Sequence, residues 1–203
     1  MSSDLLMRTL EHLRHLVAFD TRNPPRSIGT GGIFDYLRAN LPGFTCTVTD
    51  HGAGAVSLLA TRGNPAILFN VHLDTVPDAP GWTRNPLELQ IRADKAIGLG
   101  ACDIKGAAAA LLAAAEVTQG SAAFLFSTDE EANDARCIAA FLGSGHGFRD
   151  VIVSEPTNCQ AVLAHRGIAS AQVSFSGTSG HASTLVDPRQ SAVHQALRWG
   201  GAA

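Results

Sequence analysis

Basic residues are too few and too scattered in this sequence to form a polyanion-binding surface: 15 Lys and Arg stand against 18 Asp and Glu, a formal charge of -3. Binding of nucleic acid rests on clustered cations meeting phosphates, so nucleic acid is excluded as the main partner. Long apolar runs are also missing. None reaches the roughly 20 residues that a membrane-spanning helix needs, so no membrane partner is expected. The stretch after Met1-Ser2-Ser3-Asp4 carries charges throughout and lacks the apolar core of a signal peptide, which makes the cytoplasm the expected location. Cysteine is scarce. Cys46, Cys102, Cys137 and Cys159 are widely spaced and make no C-x-x-C pair, which favours reduced thiols over a disulfide frame.

What is present is the material of an ordinary α/β protein. The 203 residues are 45% hydrophobic and include 20 Gly. A chain of this length can bury about 70% of its unfolded surface, enough for one sizeable domain or one domain and the start of another. Leu6, Leu10, Leu13 and Val17 recur on one helical face, with Asp4 placed to cap it, and the helix should stop before Asn23-Pro24-Pro25. A second helix is predicted from Gly32 to about Leu41, ended by Pro42-Gly43. Strands are predicted over Thr45–Thr49 and Ala55–Thr61, across the Gly-rich turn His51-Gly52-Ala53-Gly54.

The run Ala66-Ile67-Leu68-Phe69-Asn70-Val71-His72-Leu73-Asp74 organises the rest. It reads as a strand covered on both faces that delivers a histidine and a carboxylate at its end, where ligands collect in α/β sheets. Taken alone, His72-x-Asp74 fits a satisfied histidine and a turn aspartate equally well. An alternating piece from Leu87 to Arg92 follows, and then Gly98-Leu99-Gly100-Ala101-Cys102-Asp103-Ile104-Lys105-Gly106. A phosphate loop is the wrong reading of those glycines, because the spacing is not G-x-G-x-x-G and Asp103 would repel a phosphate. An alanine-rich helix is predicted from Ile104 to about Val117. Two further buried strands run into acid, Ala122–Phe126 into Asp129-Glu130-Glu131 and Asp150–Ser154 into Glu155-Pro156-Thr157. The alternation of strand and helix predicts a largely parallel sheet. Up to five carboxylates gathered around one imidazole cannot all stay ionised alone, and divalent metal is the economical solution.

Four stretches, Val71–Pro77, Gly98–Gly106, Thr128–Glu131 and Glu155–Thr157, together resemble the ordered motifs of the dizinc aminoacylase family. That family includes acetylornithine deacetylase, succinyl-diaminopimelate desuccinylase and related metallocarboxypeptidases, and Phe19–Pro25 is most similar to the acetylornithine deacetylase branch. The resemblance implies a mostly parallel α/β catalytic domain with helices on both faces, over 1–166. It implies the start of a smaller α+β lid and dimerisation domain over 167–203, where the sequence pattern itself predicts a strand over Ile168–Phe175 and a helix from about Pro188 to Trp199. It also implies a homodimer formed through that lid. Two zinc ions are expected, with cobalt able to substitute: His72 and Glu155 on one, Asp103 bridging and Glu131 on the other. Glu130 would be the general base and Asp74 would orient His72. His181, in Gly177-Thr178-Ser179-Gly180-His181-Ala182-Ser183, would stabilise the oxyanion in the partner subunit's site.

The sequence departs from the family twice. Leu99 stands where the family often has arginine, which removes one salt bridge. The second zinc also lacks its C-terminal histidine ligand. His194 is a poor substitute and reads as a surface residue, so an N-terminal portion of a longer, two-domain chain is expected. The implied reaction is removal of the acetyl group from N-acetylornithine or N-acetylcitrulline in arginine biosynthesis; Arg166 is a candidate carboxylate clamp and reads equally well as an ordinary surface arginine. A di- or carboxypeptidase on the same metals is the near rival, and a non-catalytic binding protein with a structural ion is the distant one. Glu130 discriminates, because a structural ion needs no spare carboxylate beside Glu131.

Overall fold

A computed structural model describes residues 2–25, 27–164, 167, 171–181, 183 and 187–202, which divide into two compact units, 1–160 and 161–203. In the first, β1 (Thr45–Asp50), β2 (Val56–Arg62), β3 (Ile67–His72), β6 (Ala122–Ser127) and β7 (Asp150–Val153) form one sheet in the order β1-β2-β6-β3-β7. A short hairpin, β4 (Gln90–Arg92) and β5 (Lys95–Ile97), stands apart from it. β6 and β7 flank β3 in parallel, whereas β2 is antiparallel to both of its neighbours. Four strands therefore run one way and β2 alone is reversed, because a tight turn joins it to β1.

The register decides where the site lies. His72 pairs with Ser127 and Asn70 with Val153, so the turns leaving β3, β6 and β7 emerge at one end of the sheet. Side chains alternate between the faces as a strand requires. Val71, Phe124 and Phe126 join Leu13, Leu16 and Val17 of α1 (Ser2–Ala18), Phe34 and Leu37 of α2 (Ile33–Ala39), and Leu112 of α3 (Gly106–Val117) in the main core. Leu68, Ala123 and Leu125 face the other way, against Ile138 and Phe141 of α4 (Arg136–Gly143) and Phe148. Helices thus cover both faces.

Several local expectations are corrected. The buried stripe of α1 is His12, Leu13, Leu16 and Val17, while Leu6 is 58% exposed, because only the C-terminal half of the helix lies over the sheet. α3 starts at Gly106 and not at Ile104. It is preceded by a π-type turn, Ala101–Lys105, in which Asp103 and Ile104 leave helical geometry. β3 is covered only in part, and β7 is exposed along its length, since it is the outer strand among the described residues.

The second unit has its own local order. A 3-10 turn, Pro188–Gln190, precedes α5 (Ala192–Gly200), whose first turn is capped by Ser191, so the helix expected from Pro188 is interrupted there. Phe175 rests on Trp199 with ring centroids 6.1 Å apart. The strand predicted over Ile168–Phe175 is absent from 171–175, and its first residues lie outside those described. No described side chain of this unit is buried.

Candidate metal centre

The sequence-predicted acids arrive on four different turns. β3 ends on His72, whose ring is almost wholly buried, and the next turn carries Asp74, with no exposed surface at all. Asp103 comes from the π-type turn before α3, and glycine makes that turn possible. Gly100 has φ of 72°, and a side chain there would meet Thr75 at 2.5 Å and Lys105 at 3.3 Å. Glu130 and Glu131 follow β6, and Glu155 follows β7.

Around His72 Nε2 lie Asp103 Oδ1 at 3.0 Å, Glu155 Oε1 at 3.7 Å and Glu130 Oε2 at 4.0 Å. Ligand atoms of His72, Asp103 and Glu131 all fall within 4.8 Å of one another. Two ligands each about 2.1 Å from one tetrahedral ion sit about 3.4 Å apart, so these separations fit a shared cation. The donor set fits as well, because one imidazole with several carboxylates suits zinc or a similar borderline divalent ion.

His72 Nδ1 donates to the backbone carbonyl of Asp74 at 3.0 Å and lies 3.5 Å from its carboxylate Oδ1. The turn's own carbonyl thus makes the closest orienting contact, and the carboxylate expected to do this stands behind it. With Nδ1 protonated, Nε2 is the nitrogen left to ligate. Burial pulls the His72 pKa down. Hydrogen bonding to Asp74 and the charges of Asp74 and Glu155 outweigh that pull and carry it up to about 9. The imidazolium therefore fills a cation's place at neutral pH. Burial pushes the Glu131 and Glu155 carboxyls up, His72 pulls them back, and Asp103 and Glu130 add to the rise. These are carboxylates crowded for want of positive charge.

Sequence reasoning passed over the groups that hold this cluster together. Asp74 Oδ2 accepts from the Glu131 backbone N–H at 2.9 Å and from Asn23 Nδ2 at 3.1 Å. Lys105, fully buried, donates through Nζ to the Phe19 carbonyl at 2.9 Å. The one available signal for Asn23 was its place before two prolines, which points only to a turn. Beside Asp103 and Glu131 opens a cavity of about 290 Å³ whose walls include Val76, Trp82 and Leu99. A small acyl group or side chain fits such an apolar wall next to acids.

The remaining candidates lie elsewhere. His181 belongs to the second unit and bonds Ser183 Oγ at 2.7 Å within its own turn. His194 is exposed on α5 and pairs with Ser191 Oγ at 2.9 Å. Arg166 lies outside the described residues. All four cysteines are free. Among the described residues no helix is long and apolar enough to cross a membrane.

A family model described as peptidase family M20/M25/M40 matches residues 68–199. The chain is 64% identical over 202 residues to N-acetyl-L-citrulline deacetylase of Xanthomonas campestris pv. campestris, covering 99% of this chain and 55% of that protein. It is 33% identical over 179 residues to succinyl-diaminopimelate desuccinylase of Caulobacter sp. strain K31, covering 79% and 46%. The chain thus spans about half the length of the curated relatives it matches. Among solved structures, human carnosine dipeptidase 1 shares the fold with a TM-score of 0.58 at 20% identity, over 72% of this chain and 38% of that one. A metallo-carboxypeptidase from Sulfolobus solfataricus shares it with a TM-score of 0.54 at 18% identity, over 71% and 36%.

Proposed function

The chain belongs to peptidase family M20/M25/M40, and from that premise we propose that it serves metal-dependent hydrolysis of the acetyl amide of an N-acetyl amino acid, N-acetylcitrulline foremost. The observation that carries the reading is the meeting of one buried imidazole with Asp103, Glu130 and Glu155 within 4.0 Å of its Nε2, and with Glu131 beside them. The choice of substrate is supported by the 64% identity to the Xanthomonas deacetylase. Arginine biosynthesis in the cytoplasm is the setting we propose for it.

In this reading His72, Asp103, Glu131 and Glu155 would hold the zinc, His72 and Glu155 serving one ion, Glu131 the other and Asp103 both. A divalent metal there supplies Lewis acidity, polarising the amide carbonyl and lowering the pKa of water. Asp74 keeps the His72 ring turned so that Nε2 faces the acids. Glu130 takes the proton shed by the attacking water and delivers it to the leaving amine nitrogen. Its side chain is 57% exposed, so substrate can reach it. His181, presented by the second unit of a partner subunit in a homodimer, is proposed to steady the tetrahedral oxyanion. The small N-acyl amino acid is the one partner besides the second copy.

Metal analysis of the purified protein, joined to an amine-release assay across acetylcitrulline, acetylornithine, other acyl-amino acids and dipeptides, tests the reading. Bound zinc and fastest turnover of acetylcitrulline are expected. Preference for dipeptides, or catalysis undiminished after metal removal, overturns it.

A further inference from the structure

Asn23 stands between the two turns that carry most of the site. It is 1% exposed, and its side-chain amide spends both protons, one on Asp74 Oδ2 at 3.1 Å and one on the Thr128 carbonyl at 3.2 Å. Asp74 backs the ring of His72, and Thr128 begins the turn to Glu130 and Glu131. The backbone around Asn23 is fixed as well. Asn23 N–H donates to the Thr75 carbonyl at 2.8 Å, Thr75 N–H donates to the Thr21 carbonyl at 3.0 Å, and the Thr21 hydroxyl donates to the Leu73 carbonyl at 2.7 Å. Thr21–Asn23 is therefore laid beside the turn after β3 like a short extra strand, with a parallel bridge between Arg22 and Thr75.

One detail separates a role in the site from a role in folding. Asn23 Oδ1 is buried and, like the adjoining Asp74 Oδ1 and Thr75 Oγ1, has no hydrogen-bond partner among the described residues. An unanswered buried carbonyl is costly, and native proteins rarely carry one without a reason. Flipping the amide would give Oδ1 no better partner, since both neighbours are acceptors, and would set oxygen against the Asp74 carboxylate. An amide here is thus poor for stability alone but well suited to donating twice in two directions.

We propose that Asn23 is a positioning residue for the metal centre, fixing the Asp74 carboxylate behind His72 and tying it to the turn that presents Glu130 and Glu131. It touches neither substrate nor metal and acts through Asp74, so the inference rests on the metal-hydrolase reading.

The test uses the full chain with Asn23→Leu, which keeps the branched outline and removes both donors, Asn23→Ser, which keeps one donor, and Thr21→Val. The last breaks the same segment's bond to Leu73 without touching Asp74. Zinc affinity is read by competition with a chromophoric chelator, ligand geometry by the visible spectrum of the cobalt form, and folding by Tm. For Asn23→Leu we expect affinity weakened about 10- to 100-fold, as when a group that orients a metal ligand is lost. The cobalt spectrum should change and kcat should fall with KM held. Asn23→Ser should lie between this and the parent, and it carries the test if the leucine variant does not fold. Thr21→Val should keep affinity within about twofold, its one lost bond lying outside the groups that orient the ligand. A folded Asn23 variant with parental affinity and cobalt spectrum overturns the proposal, and so does a Thr21→Val variant that loses both. If the parent itself binds no divalent metal, it is the metal-hydrolase reading that fails.

Discussion

The metal centre has a buried half and an open half, and the two are built on different terms. His72 and Asp74 leave 3% and 0% of their side chains exposed, whereas Asp103, Glu155 and Glu130 leave 54%, 39% and 57%. In the buried half the contacts are made by folding: Asn23 and the Glu131 N–H hold Asp74, and Asp74 holds His72. In the open half, carboxylates reach solvent and crowd around one nitrogen of His72, free of the hydrogen bonds that hold Asp74. A charge buried without its partner costs several kcal/mol, while an exposed pair is worth about 0–1 kcal/mol. Damage to the buried half should therefore appear in stability and metal affinity together. Damage to the open half should appear in one function at a time.

The largest effect that separates the halves is expected from Glu130→Gln. Loss of a general base lowers turnover about 10²- to 10⁴-fold, and Tm and metal content should stay at parental values because the side chain is exposed. A drop in Tm, or an empty metal site, would place Glu130 in the structural half after all. Next comes Asp74→Ala, which strands the Asn23 amide and the Glu131 N–H and leaves His72 Nδ1 less well held. We expect a loss of about 2–4 kcal/mol in chemical denaturation, together with zinc binding weakened about 10- to 100-fold. Unchanged stability would break the comparison. Glu131→Gln is intermediate, since its side chain reaches the metal while its backbone serves Asp74. It should lower metal occupancy measured after dialysis and cost less than about 1 kcal/mol, because the backbone bond survives.

The same division explains how much was legible in the sequence. Strand β3 and its neighbours could be read because an apolar run bounded by Gly63-Asn64-Pro65 and Pro77 has a short-range cause, and a strand end carries its acid with it. Glu130 and Glu155 of the open half are such strand-end acids, whereas Asp103 comes from the turn before α3. The buried half depends on chain segments far apart in sequence: Asn23 reaches Asp74 across 51 positions and Thr128 across 105, and Lys105 reaches Phe19 across 86. No periodicity encodes such contacts. The reversal of β2 and the exposure of β7 have the same origin, being set by which strands pair and not by the composition of either. In the second unit the helix signals around Ser191 could be read, whereas the expected strand over 168–175 needed a partner that composition does not supply.

The smallest expected effect sharpens the comparison within the buried half, where two cations are treated in opposite ways. His72 faces acids and is carried up to about 9, whereas Lys105 is brought down to about 7 by burial, which the charges of Asp20 and Asp74 only partly offset. A lysine lowered from 10.5 to about 7 binds less proton in the folded chain than in the unfolded one across that interval. Its penalty is present in full below about pH 7 and fades as pH rises toward 10.5. Stability from this group therefore increases with pH, by about 1.4 kcal/mol per unit at most. His72 has the opposite slope between 6.5 and about 9, where its folded form holds the extra proton. Urea denaturation of the parent chain alone would show the two nearly cancelling. Lys105→Met separates them, because His72 contributes equally to both proteins and drops out of the difference. With metal removed from both, the parent should gain on the variant from pH 7 to pH 10. A difference that stays flat would mean that the Phe19 carbonyl at 2.9 Å and the two nearby acids hold the Lys105 ammonium without penalty.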